Sequence, residues 1–158
     1  EESFKLPKRL TGVTTFTIQV TNRKLHIGGL SFKKLEKAWS PLSVTDIDRV
    51  YGDAFCKTDD AITGIGNNVT IEYTDMDFGE RTCVVIEITG RSPIEKNTIH
   101  VRASNGTNET LNIAEFTYSD DYVTKRFPVN VLSGSQTVTL LFLPGSNFDL
   151  KGIRFVKI

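Results

Sequence analysis

The chain has 158 residues, with 19 Lys and Arg against 19 Asp and Glu, and so a formal net charge of zero. That length fits one domain with a real core, and the charge balance excludes the basic excess or stripe that marks nucleic-acid binding. No apolar run approaches the roughly 20 residues of a membrane span, and Cys56, Cys83, His26 and His100 lie too far apart for a zinc motif.

Residues 1–12 are polar, contain Pro7 and Gly12, and read as a lead-in segment. The chain starts Glu1-Glu2 with no initiator Met and no signal segment, as expected of a piece cut from a longer polypeptide. Thr14, Phe16, Ile18 and Val20 alternate with polar residues, a strand pattern. Asn22-Arg23 makes a turn, and Leu25, Ile27, Leu30 and Phe32 resume the strand, with Gly28-Gly29 as a bulge. The pair reads as a hairpin. Residues 1–23 hold the lead-in and first strand, and 24–158 the main body, of a single domain.

Residues 33–66 show no clear period, apart from one helical turn predicted over Lys33–Ala38. So long an irregular stretch is often a binding loop. From Asn68 the pattern turns regular. Val69, Ile71 and Tyr73 alternate, and Cys83–Ile88 is a continuous apolar run that suits a central strand. That run makes a buried thiol the expected state of Cys83, although two cysteines also permit one disulfide. Strands are then predicted at Thr98–Arg102, Leu111–Phe116, Val123–Val131 and Val138–Leu143, each bounded by Gly, Asn, Asp, Ser or Pro. The stretch Leu141–Phe155 organises the whole: a buried strand, a Pro144-Gly145 turn, a loop with Asn147 and Asp149, then a final strand. Short strands at this spacing, without a defensible helix, predict an all-β antiparallel sandwich or jelly roll of about nine or ten strands.

The C-terminal half carries a resemblance. The segments "NNVTIEYTDMDFG", "CVVIEITG", "NTIHVRASNG" and "FPVNVLSGSQTVTLLFLPGSNFDLKGIRFVKI" resemble the β-jelly-roll carbohydrate-binding modules of family 6. More closely, with "YGDAF" at Tyr51–Phe55 and "GIGNN" at Gly64–Asn68, they look like the accessory modules of bacterial family 2 glycoside hydrolases, notably β-galactosidases. The resemblance spans residues 24–158. It implies a non-catalytic, lectin-like domain, extracellular or at a bacterial cell surface, that holds glycan near a covalently linked catalytic domain. Family 6 modules bind sugar in loops at one edge of the sandwich, through aromatic rings and an Asn, and often carry a structural calcium. Their last strand reads Phe-Asn-Leu-Asp-Trp-Phe, where this chain has Phe148-Asp149-Leu150-Lys151-Gly152-Ile153. The sugar-binding Asn falls on Asp149, still a hydrogen-bond acceptor. The calcium-associated Asp falls on Lys151, whose ammonium argues against that ion.

A sugar site needs an aromatic platform and a few hydrogen-bonding side chains. Trp39, the one tryptophan, is either that platform or a plug under the irregular segment. Tyr51 and Asp53 put a ring and a carboxylate on one turn about Gly52. Arg91, just past a central strand, is placed to fork onto vicinal hydroxyls or to pair with Asp149, the alternative being a solvated loop charge. Asn147 and Asp149 complete the set, unless they only cap their turn. His100 and Arg102 share one side of a strand and offer a second sugar site or a solvated sheet face. Asp75 and Asp77 fit neither glycosidase arrangement and suit a turn before Gly79. With no Ser/His/Asp, Cys/His or metal signature, an enzyme is not expected. The reading is a module for a galactose-containing glycan, and the alternative is a β-sandwich that braces a larger enzyme without holding sugar.

Overall fold

The computed structural model describes residues 15–21, 24–31 and 36–158. The chain divides into two compact units, residues 1–33 and 34–158. In the first, residues 15–21 and 24–31 have no regular secondary structure. Their apolar side chains from Phe16 to Leu30 are 41–60% exposed. The hairpin expected there is therefore not formed by the described residues, while its turn and its outer ends, Thr14 and Phe32, lie outside them. Alternation makes a segment able to pair, but a strand exists only in a ladder.

The second unit is all-β. Its strands are β1 (Leu42–Ser43), β2 (Arg49–Tyr51), β3 (Cys56–Lys57), β4 (Ile62–Ile65), β5 (Thr70–Asp77), β6 (Thr82–Ser104), β7 (Glu109–Leu132), β8 (Ser135–Phe142) and β9 (Phe148–Lys157). Every ladder is antiparallel, in the order β2-β5-β8-β6-β9-β4-β3, with β1 on β9 and β7 on β6. The sheet curls into two layers because β6 belongs to both. Its first part, Val84–Arg91, pairs with β9, and its second part, Ile99–Ser104, pairs with β8. The β7 strand follows β6 along its other edge through both parts.

Two expectations change here. Cys83–Ile88 and Thr98–Arg102 are one strand rather than two, as are Leu111–Phe116 and Val123–Val131. The Gly, Ser and Pro residues between them mark a corner, where the register shifts between Gly90 and Lys96, and not an end. The irregular 33–66 stretch is likewise no single loop. It holds 3₁₀ turns at Lys37–Trp39 and Val44–Asp46 and four short strands docked on β9, β5 and one another.

One buried apolar cluster fills the space between the layers. Alternation sets it: Val84, Ile86 and Ile88 point inward, as do Ile99, Val101 and Ala103 further along β6. The same period turns Cys83 outward, and both cysteines are free and exposed, which corrects the expected buried thiol. At the head of β9, the Phe148 ring meets Phe116 of β7 at 4.9 Å and Phe142 of β8 at 5.6 Å. Such ring pairs are worth about 0.5–1.5 kcal/mol each beyond area burial, so this corner is firmly seated. Gly90 permits it: a Cβ there would stand 2.2 Å from a Phe148 ring carbon.

Candidate functional site

The ladders bring one end of the sandwich together. The end of β2 lies beside the start of β5, which lies beside the end of β8. The end of β4 lies beside the start of β9, which meets the corner of β6 at Arg91. Backbone bonds join the loops between: Gly66 donates to the Ala54 carbonyl at 2.8 Å and Asn68 to that of Phe142 at 3.0 Å. Tyr51, Asp53, Arg91, Asn147 and Asp149 thus share one rim.

Trp39 does not. Its ring packs edge-on against Phe78, with centroids 5.4 Å apart, and Lys157 Nζ lies over it at 4.6 Å. It lines an open hollow of about 250 Å³ with Glu36, Arg154 and the Phe155–Lys157 end of β9. Lys157 lies eight steps of extended strand beyond Asp149, about 26 Å. Trp39 is therefore not the aromatic platform of a site shared with Asp149, which corrects its place in the expected set. Trp39 is half-buried at the far end because its turn is pinned to β5. There Lys37 Nζ donates to the Thr74 carbonyl at 2.9 Å and to Asp48 at 2.5 Å.

At the rim, Asp149 is 4% exposed and fully engaged. One carboxylate oxygen accepts the Gly64 N–H at 2.8 Å. The other accepts Arg91 Nε at 2.8 Å and Nη2 at 2.5 Å. The carboxylate holds the guanidinium even further above its ordinary pKa, and the Arg91 side chain remains 44% exposed. Beside the pair stands Tyr122 of β7. Arg91 lies over its ring at 5.6 Å and Lys151 Nζ at 4.6 Å. Burial, and then the Asp149 carboxylate, push the Tyr122 phenol up, partly offset by Arg91. Lys151 also lies 3.7 Å from Asp60. A metal ion at this position would face an ammonium, so these residues do not fit the calcium that the family pattern suggests.

Tyr51 is 47% exposed, and its hydroxyl accepts from Arg49 Nη1 at 3.3 Å. Asp53 is exposed just after Gly52, which takes φ +104° in this turn. A Cβ on Gly52 would also press against Val69 at 3.2 Å, so glycine is required here. Asn147 is exposed, but its backbone is clamped. Its N–H donates to Asn97 Oδ1 at 2.9 Å, and its carbonyl accepts from Asn97 Nδ2 at 2.8 Å. The same Nδ2 donates to Ser92 Oγ at 2.8 Å, and Asn97 and Ser92 are both fully buried. A cleft of about 140 Å³ opens next to this clamp, between Lys96–Thr98 and Leu143–Ser146.

Sequence reasoning missed Asn97, Ser92 and Tyr122. Counting back by two from Ile99 puts Asn97 on the inward face, and a buried amide demands partners, so that signal was present. Tyr122 had none, since its place depends on pairing across a register shift. His100 and Arg102 stand on the outer face of β6, opposite Leu141 and Thr139 of β8 and Ile113 and Leu111 of β7. Asp77 accepts the Gly79 N–H at 3.0 Å, as a turn carboxylate does. Among the described residues, no group of three or more His, Cys, Asp and Glu is arranged to hold a metal, and no helix is long and apolar enough to cross a membrane.

No family model matches this sequence, and no curated protein matches it. Solved structures do match, and several are family 6 carbohydrate-binding modules. The CsCBM6-3 module of Clostridium stercorarium in complex with cellobiose superposes with a TM-score of 0.66 and 21% identity, over 77% of this chain and 95% of that one. A family 6 module of Clostridium cellulolyticum in complex with xylose matches with a TM-score of 0.64 and 20% identity, over 75% and 98%. A family 43 arabinoxylan arabinofuranohydrolase of Bacillus subtilis, in complex with cellotetraose, matches with a TM-score of 0.60 and 15% identity, over 77% of this chain but 28% of the hydrolase. The fold is thus that of the family 6 β-sandwich.

Proposed function

We propose that this chain is a non-catalytic carbohydrate-binding module whose site is the rim around Arg91 and Asp149. The observation that carries the reading is the gathering of Tyr51, Asp53, Arg91, Asn147 and Asp149 at one end of a family 6-type sandwich. A half-exposed guanidinium there is oriented by a buried carboxylate and keeps donors for sugar hydroxyls. The module holds glycan for a linked glycoside hydrolase, in the way a sandwich of this fold makes up part of the arabinofuranohydrolase chain. The sequence resemblance favours a galactose-containing glycan on a bacterial, extracellular β-galactosidase. The solved neighbours carry cellobiose and xylose, so the ligand panel must include all three configurations.

A second reading has its own support. Asp149, at the position of the family's sugar-contacting Asn, spends its oxygens on Gly64 and Arg91. That suits a bracing domain with no sugar site. Calorimetric titration with galactosides, β-glucosides and xylosides separates the two. Binding is expected between millimolar and micromolar, about 4–8 kcal/mol, as for weak single-site recognition. Arg91→Ala is expected to abolish it while the fold persists. No heat with any sugar removes the binding reading and leaves the bracing one.

A further inference from the structure

The first unit repeats the pattern of the last hairpin. Residues 10–21 match 132–143, and residues 24–34 match 147–157, with the connecting turn one residue shorter. Gly12 falls on Gly134, Thr15 on Thr137, Thr17 on Thr139, Gly29 on Gly152 and Phe32 on Phe155. The buried apolar places correspond, whereas the half-buried Leu141, Leu143 and Val156 fall on Gln19, Thr21 and Lys33. Phe16, Ile18 and Val20 take the places of Val138, Leu140 and Phe142, and Leu25, Ile27 and Leu30 those of Phe148, Leu150 and Ile153. The β8–β9 residues are at most 3% exposed, whereas their counterparts are 41–60% exposed. A glycine argues the same way. A Cβ on Gly152 would stand 2.2 Å from the Leu42 carbonyl oxygen of β1, while one on Gly29 would meet nothing within 4 Å. The small residue that makes room for a β1-like neighbour recurs where the described residues supply none.

Six large apolar side chains on one hairpin are not kept dry by that hairpin alone. We infer that residues 15–21 and 24–31 belong to the closing hairpin of a second sandwich of the same design, whose other strands are a segment equivalent to β1–β7 on the same polypeptide, ahead of them. The match decides between sources. Leu10-Thr11-Gly12 repeats Leu132-Ser133-Gly134, which is the last residue of β7 and the turn into β8, so the pattern continues backward into a preceding strand. A second copy of this chain offers no place for the hairpin, since its own β8 and β9 already fill that position.

Hydrogen exchange read by mass spectrometry, on residues 1–158 and on the full-length gene product, tests this. In the full-length product, the amides of 15–20 and 25–30 are expected to exchange about a hundredfold more slowly than in the 158-residue chain, within the range of β8 and β9. There, Ile27→Asp is expected to lower one thermal transition and leave that of residues 36–158 in place. Thr17→Asp, at the outward place matching Thr139, moves neither. Three results overturn the inference: equal exchange in both polypeptides, protection lost on dilution, or an Ile27→Asp effect confined to the transition of residues 36–158.

Discussion

Asn97→Ala probes the clamp that shapes the rim. The substitution removes one acceptor and two donated bonds, to the Asn147 N–H, the Asn147 carbonyl and Ser92 Oγ, all at 2.8–2.9 Å. Ser92 Oγ keeps its own bond to the Ile94 carbonyl at 2.8 Å, so its loss is the mildest. The two Asn147 backbone bonds to Asn97 are partly buried. Three net bonds at about 1 kcal/mol each, with part of the desolvation penalty for the orphaned pair, give a loss of about 3–4 kcal/mol. Urea unfolding at 25 °C, with the slope held common between variants, reads that difference directly. The 143–147 loop should loosen at the same time and weaken glycan retention more than the remaining folded fraction explains. Asn97→Asp sharpens the test. The carboxylate keeps the bond to the Asn147 N–H but turns the bond to the Asn147 carbonyl into a contact between acceptors, and it competes with the Ile94 carbonyl for the single Ser92 hydroxyl proton. Protonation restores one donor, so this variant should lose less stability near pH 4 than at pH 7. If Asn97→Ala costs under about 0.5 kcal/mol, the range of an ordinary surface change, the clamp is ornamental and the argument fails.

Three further outcomes are expected. Gly90→Ala drives a Cβ to 2.2 Å from the Phe148 ring and 2.7 Å from the Asp149 carbonyl oxygen, so it should cost about 1–3 kcal/mol or more and shift the Phe148 resonances; an unchanged melting temperature refutes the packing at this corner. Burial pushes the Asp48 carboxyl up, but bonds from Lys37 and the Thr74 N–H outweigh it and hold the group below its usual range. Its contribution is therefore present above pH ~4, the unfolded value, and is lost on acidification through the folded one. The stability gap between wild type and Asp48→Asn should close as pH falls, and a gap that widens contradicts the assignment. Chelation with EDTA should leave the melting temperature of residues 34–158 in place, because Lys151 already sets a cation beside Tyr122 and Asp60; a drop of several degrees refutes that argument.

The sandwich was legible because its rule is local. A residue two places from an inward neighbour also points inward, so Val84-Ile86-Ile88 and Ile99-Val101-Ala103 declare their faces without knowledge of any partner. The Arg91–Asp149 pair was only one of three alternatives for Arg91, and the choice among them rests on the register that sets Arg91 of β6 opposite Asp149 of β9. Trp39 was misplaced because an indole in an irregular segment suits a platform and a plug equally, and its position depends on the Lys37 bonds to Asp48 and Thr74. The joining of two predicted strands into β6 was hidden because Gly, Ser and Pro serve a corner as well as an end.

The order of the chain alone determined the all-β class, the alternation within the strands, and the polar character of the loops, since a period of two is written into consecutive residues. Only the tertiary structure decided which loops share an end, that Tyr122 stands beside Arg91, and that Asp149 is spent on Gly64 and the guanidinium. Those facts depend on register between strands far apart in the chain; Gly64 and Asp149, for example, are 85 residues apart. Register is set by the packing of the whole core and not by any one segment.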